Sequence, residues 1–356
     1  VSVIPDLAGG GALAASMVCE AIGASRPQVI LTGSRGRFTG EDHHRLVADL
    51  DVPVIEVAGT GDLRDAIEAL RPAVVVNHWW PSAAFKPLCR VGDERLILNS
   101  TSPVPLPPGY DVYVTLSDFQ AAYQAHIPTE RVVRIPNGID LAVADAAVPD
   151  PTLWRQGLSD RTVRIAMLSR LDPDKFIARL PDCLDGLDPG RVEVTVAGRG
   201  ARRWECAGEL TRRGMEGWVR FIGPIAQSHV ARFLAGADIG LHLTETHQES
   251  HPFAIMQMMA AGLPIVAQPR GALPEMVDHG QTGFLDSDPA EIARALGWLA
   301  ENPGARAEFG AEARRRIAPF TAQAFHTAWR DLIERTVAEV PQGRQTCQSC
   351  PDAPDP

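Results

Sequence analysis

Apolar residues never run uninterrupted for the ~18 to 20 positions that a membrane-spanning helix needs, so no integral membrane segment is expected. The apolar start, Val1–Ile4, runs straight into Pro5 and Asp6 and lacks the pattern of a secretory leader; the chain is expected to be soluble and cytoplasmic. Positive charge is also short. With 34 Lys and Arg against 44 Asp and Glu, the formal charge is −10, and there is no basic stripe for nucleic acid to bind. Cysteine is sparse, with six in 356 residues. Cys19, Cys89, Cys183 and Cys206 stand singly in apolar or helical contexts, as buried thiols do. Cys347 and Cys350 form one C-x-x-C in a polar tail, without the second pair of a zinc ribbon or the strand and helix of a redox site. No Asp-x-Asp follows a strand in the first half, and no G-x-G-x-x-G opens a helix, so neither a metal nor a dinucleotide cofactor is expected.

What is present is alternation. Short Val/Ile/Leu runs recur at 1–4, 28–32, 52–57, 73–77, 95–98, 111–115 and 131–135, with helical patterns at 12–22, 42–50, 62–70 and 117–124. The pattern pauses over Leu141–Ser159, around Pro149 and Pro151. It restarts at 163–168, 192–197, 218–222, 239–243, 264–267 and 283–285, and ends in helices at 289–301, 304–317 and 321–340. Apolar strands separated by helices indicate a parallel sheet covered on both faces. The reading is therefore α/β: two tandem doubly wound, Rossmann-like domains facing across a cleft. The expected boundaries are 1–144 for the first domain, 145–160 for a linker, 161–318 for the second domain, 319–340 for a helix and 341–356 for a disordered tail.

Three stretches carry chemistry. Gly9-Gly10-Gly11 follows the first strand and precedes a helix, where small residues admit a ligand close to the backbone and helix N–H groups attract an anion. Arg170-Leu171-Asp172-Pro173-Asp174-Lys175 follows the first strand of the second domain and puts two cations at its carboxyl end, where Arg can fork phosphate oxygens and Lys adds a point charge; a solvated charged loop is the alternative. Glu249-Ser250-His251-Pro252-Phe253-Ala254 turns from a strand end into a helix that holds Gln257 two turns on. Its carboxylate can accept hydrogen bonds from hydroxyls. His78 ends a first-domain strand. His242 and His247 flank the Glu249 loop without metal-ligand spacing, while Trp79 and Trp80 suit either an apolar face of a ligand or the core.

In order and spacing these stretches, with "VTLSDFQ" (114–120), "VVRIPNGID" (132–140), "VTVAGRG", "VRFIGPI" and "GALPEMVDHGQTGFL" (271–285), resemble the retaining nucleotide-sugar glycosyltransferases of the GT-B fold, the group related to glycogen and sucrose synthases. The resemblance spans nearly the whole chain and implies GT-B architecture, with a C-terminal helix crossing back to the first domain. It implies that Arg170 and Lys175 hold the donor's pyrophosphate and that Glu249 holds hydroxyls of the transferred sugar. Ser250, His251, Pro252, Phe253 and Ala254 would add contacts to sugar and phosphate. Gly10 and Gly11 would face the pyrophosphate, and His78 the sugar's hydroxymethyl end.

Three departures stand out. Gln257 occupies the second position of the family's Glu-x7-Glu, which holds the ribose; an amide still bonds hydroxyls but brings no charge. His251-Pro252 replaces the usual Phe-Gly, and Pro252 has no N–H to donate. Val76 stands where the family often has a second His. The expected activity is transfer of a sugar, with retention, from a nucleoside diphosphate (UDP favoured) to a small-molecule or glycan hydroxyl. It would need no cofactor and no metal. A nucleotide-sugar 2-epimerase and a catalytically weakened sugar-nucleotide-binding subunit are the rivals.

Overall fold

The structure, a computed structural model, describes residues 1–4, 9–23, 28–32, 52–57, 60–79, 90–155, 162–173 and 175–340. It divides into two compact units: residues 1–138 with 322–356, and residues 139–321. In the first, strands β1 (Ser2–Ile4), β2 (Ile30–Thr32), β3 (Val54–Glu56), β4 (Val74–Trp79), β5 (Arg95–Ser100), β6 (Val112–Thr115) and β7 (Val132–Arg134) form one sheet in the order β3-β2-β1-β4-β5-β6-β7. Every pairing is parallel. Strand order reverses between β1 and β4, and a crevice opens at the carboxyl ends of strands at such a switch point. The last helix, Ala322–Ala338, lies in this unit and buries Phe325, Trp329, Leu332, Ile333 and Thr336, positions that share one helical face. It packs on helix Gly9–Ile22, whose Ala21 carbonyl accepts a hydrogen bond from Arg330 Nε at 3.3 Å.

The second unit repeats the plan with β8 (Val163–Leu168), β9 (Val192–Ala197), β10 (Val219–Gly223), β11 (Ile239–His242), β12 (Ile265–Ala267) and β13 (Gly283–Leu285), in the order β10-β9-β8-β11-β12-β13. Successive side chains of a strand point to opposite faces. Val163, Ile165 and Met167 accordingly join one buried cluster and Ala166 the other, so apolar residues serve both faces of the strand, with Arg164 its one charged residue. Helix Phe253–Ala260 buries Ile255, Met256, Met258, Met259 and Ala260 beneath that second face. Fully burying a side chain of this size stabilises by about 1.5–3 kcal/mol. Gly240 of β11 makes the fit possible: a Cβ there would stand 2.8 Å from Met258 Sδ.

Two local expectations change. The stretch expected as a linker, up to residue 155, packs within the second unit: Trp154 is 3 % exposed, stacks on Phe233 at 5.0 Å and donates from Nε1 to its carbonyl at 3.1 Å. Burial of an indole outweighs the breaking tendency of Pro149 and Pro151, and the latter sits at the start of a short 3₁₀ turn where its missing N–H costs nothing. Gly9, Gly10 and Gly11 form the first turn of helix Gly9–Ile22 instead of a loop before it. The helix pattern expected at 42–50, with His43 and His44, lies outside the described residues, as do Cys89, Asp174, Trp80 and the tail 341–356 with Cys347 and Cys350. Cys19, Cys183 and Cys206 are buried and free, and burial pushes the last two thiols up to about 12.

Candidate functional site

In the second unit the switch point lies between β8 and β11, and the chain after each strand supplies one charged group. Lys175, after β8, pairs with Glu249, after β11; both are largely buried, with side-chain exposures of 13 % and 8 %. His242, the last residue of β11, approaches the same oxygen, its Nε2 lying 3.3 Å from Glu249 Oε1. Burial opposes the charge of Glu249, but His242 and Lys175 outweigh it and hold the carboxyl well below the usual carboxylate range. An ionised, buried carboxylate at a strand end is an acceptor prepared for hydroxyl or N–H donors. Ser250, 3 % exposed, follows it, and its Oγ has no hydrogen-bond partner among the described residues; the same holds for Oγ1 of buried Thr244 and for Nε2 of buried Gln268, whose Oε1 accepts from Thr244 N–H at 2.8 Å. Buried polar atoms are seldom left without partners, so these mark a place where a ligand or water belongs.

Glycines hold the two loops. The loop after β8 is tied by Ser169 N–H to Ala197 O (3.1 Å) and by Leu171 N–H to Arg199 O (2.8 Å). A Cβ on Gly200 would fall 2.2 Å from the Leu171 carbonyl carbon, so the backbones meet where only glycine fits. Gly271, at φ +58°, lies against the Glu249 carbonyl in the same way, a Cβ there standing 2.2 Å from the oxygen. Ala272 N–H donates to that carbonyl at 2.6 Å, which fixes the backbone that carries the carboxylate.

The other expected residues of this unit are arranged less evenly. Arg170 is exposed and pairs with Asp172 at 2.5 Å, so the two cations of that loop differ: Lys175 turns inward and Arg170 outward. His251 is buried, its ring 5.1 Å from Phe320. Pro252 caps helix Phe253–Ala260 without a side-chain hydrogen bond; Ala254 lies in its first turn and Gln257 is half-buried midway along it.

The first unit sets a different chemistry at its own switch point. Helix Gly9–Ile22 opens after β1, with Gly10 and Gly11 in its first turn. His78 is the fifth residue of β4 and is fully buried. Register pairs it with Asn99 of β5, whose Nδ2 lies 3.0 Å from His78 Nδ1. Its ring centroid is 6.4 Å from that of Trp329, and Nε2 has no partner among the described residues. Burial drives its pKa down to about 3, so the ring is neutral.

Residues 162–302 match the family model described as glycosyl transferases group 1. The match lies within the second unit, and relatives and solved structures are similar as follows. A D-inositol 3-phosphate glycosyltransferase of Streptomyces scabiei is 32 % identical over 157 residues, 42 % of this chain and 35 % of that protein. A protein of the same name from Thermobispora bispora is 28 % identical over 236 residues, covering 61 % and 54 %. The chain thus spans about a third to a half of the length of these curated relatives. Among solved structures, Anabaena HepE in complex with UDP and glucose aligns with a TM-score of 0.75 at 18 % identity over 95 % of this chain and 98 % of that one. Sucrose-phosphate synthase of Thermosynechococcus elongatus aligns with the same TM-score at 16 % identity, covering 95 % and 98 %. At these identities the likeness is one of fold: the two doubly wound units of GT-B glycosyltransferases. No group of three or more His, Cys, Asp or Glu among the described residues could hold a metal ion.

Two residues of the matched segment 162–302 are not among the expected site residues. His242 lacks metal-ligand spacing, yet its position at a strand's carboxyl end, seven residues before Glu249, is the signal that points to it. Arg270, one residue before the glycine under the Glu249 loop, is half-buried, and its Nε has no partner among the described residues.

Proposed function

We propose that the chain is a retaining glycosyltransferase that moves a sugar from a nucleoside diphosphate, UDP before GDP or dTDP, to a hydroxyl-bearing acceptor. The buried Lys175–Glu249 pair at the carboxyl ends of β8 and β11 carries this reading, because it joins a cation for a departing diphosphate to an acceptor for sugar hydroxyls. The bond from the anomeric carbon to the phosphate oxygen breaks on the face where the acceptor oxygen bonds, and the acceptor proton passes to the departing phosphate. Charge grows on that phosphate as the bond lengthens. Lys175, with Arg170 swinging from Asp172, answers it, and stabilisation that strengthens toward the transition state raises kcat. Glu249 orients the sugar, and Ser250 and the helix start after Pro252 supply further polar contacts. Gln257 takes the ribose through neutral hydrogen bonds. The names of the curated relatives make an inositol phosphate the first acceptor to try.

The test is a panel of UDP-, GDP- and dTDP-sugars read by the rise in Tm, followed by turnover with an acceptor panel and NMR assignment of the anomeric product. A UDP-sugar should raise Tm and give a product of unchanged anomeric configuration. Conversion of the donor without acceptor would mean a 2-epimerase, and binding without turnover a binding subunit. No rise with any nucleoside diphosphate overturns the reading.

A further inference from the structure

Glu249 has two oxygens, and both of its donor neighbours use the same one. Lys175 Nζ donates to Oε1, and His242 Nε2 lies 3.3 Å from Oε1. An ionised carboxylate can only accept, so His242 Nε2 carries the hydrogen. The two donors differ in what holds them. Lys175 sits on a four-carbon stem in the loop after β8, free to share its charge with an arriving diphosphate. His242 is 2 % exposed and belongs to β11, which is paired on both sides, Leu241 with Met167 of β8 and His242 with Ala267 of β12. A ring locked in the middle of a sheet stays where it is when the lysine moves.

We propose that His242 is a positioning residue of the donor site, holding Glu249 by Oε1 so that Oε2 faces the hydroxyls of the transferred sugar. The inference rests on the reading of Glu249 given under Proposed function. It separates the two ligands of the site: a nucleoside diphosphate has no transferred sugar and should not sense His242, whereas the sugar nucleotide should. It also makes the effect conditional, because a residue that acts through Glu249 is silent once Glu249 is gone.

UDP and UDP-glucose binding by titration calorimetry, on the full chain, tests this. His242→Leu should leave UDP affinity within about twofold and weaken UDP-glucose by about tenfold, the scale of one hydrogen bond to a charged group. His242→Gln, which keeps a donor of similar reach, should recover UDP-glucose affinity to within about threefold. In a Glu249→Ala background, His242→Leu should change nothing further. Should the Leu variant fail to fold, His242→Asn, whose donor falls short of Glu249, takes its place against His242→Gln. An equal loss for UDP and UDP-glucose, an undiminished effect in the Glu249→Ala background, or no rescue by Gln overturns the proposal. Wild-type protein that binds neither ligand overturns the UDP reading and this inference with it. Wild-type protein that binds both, with a Leu variant that loses nothing, overturns the role of His242 alone.

Discussion

The two units share a strand plan and a switch point, yet the groups they place there are opposites. The first buries a neutral set, His78 against Asn99 and Trp329. The second buries a charged pair, Lys175 and Glu249, with His242 against the same carboxylate oxygen. Topology therefore offers a location, and the side chains on the loops decide whether charge can persist there. Ionised groups survive burial only when they are paired, and the second unit pairs them; a lone imidazole survives by giving up its proton, as His78 does.

The sharpest way to break the contrast is to remove charge from the second unit. Lys175→Ala should lower kcat/KM by about a hundredfold or more, the scale of one lost donor to a developing oxyanion. Arg170→Ala, removing an exposed cation already held by Asp172, should cost about tenfold. Near-normal turnover in the Lys175 variant would make the charged set structural.

Acid separates the two sets by window. His78 has a folded pKa near 3 against an ordinary 6.5, so below about 6.5 the unfolded chain binds the extra proton, and stability falls as pH drops toward 3. The slope contributed approaches 1.4 kcal/mol per pH unit, and His78→Gln should abolish it in urea unfolding. Glu249 acts lower. Its depressed carboxyl contributes stability that is complete above the ordinary value of 4.5 and is lost as pH falls below it, so Glu249→Gln should flatten the unfolding profile only under 4.5. A slope between pH 5 and 6 that survives His78→Gln would contradict the assignment.

Smaller effects test the proposed donor site. Gln257→Glu should tighten UDP binding by up to about 1.5 kcal/mol and leave kcat within a few-fold, because the ribose is remote from the reacting carbon. Abolished binding would mean that the amide reads something a carboxylate cannot. Excess EDTA should change turnover least of all, with Lys175 and Arg170 carrying the charge that a metal would otherwise answer. Activity lost to EDTA and restored by magnesium or manganese would refute that.

Much of the fold was legible in the residue order. Runs such as Val163–Leu168 and Val192–Ala197 are largely buried on both faces, and a strand so placed is mostly apolar along its length, here with only Arg164, Glu193 and Thr195 as polar members. Helix limits were less legible at Gly9–Gly11, where small residues suit a loop as well as a helix start, and at Trp154, where prolines suggested a linker and burial decided otherwise. Of the site, Lys175 and Glu249 were legible from their places at strand ends. Their pairing was not, nor was the outward turn of Arg170.

By itself the sequence determined the two α/β units, the strand ends where chemistry would gather and the residue types available there, because hydrophobic period and glycine placement are local properties. Only the tertiary structure decided that His242 and Lys175 meet on one oxygen of Glu249, that His78 lies sealed and neutral, and that the final helix packs against the first. Those contacts join residues far apart in the chain, and the burial that sets their charge exists only once the sheets have closed over them.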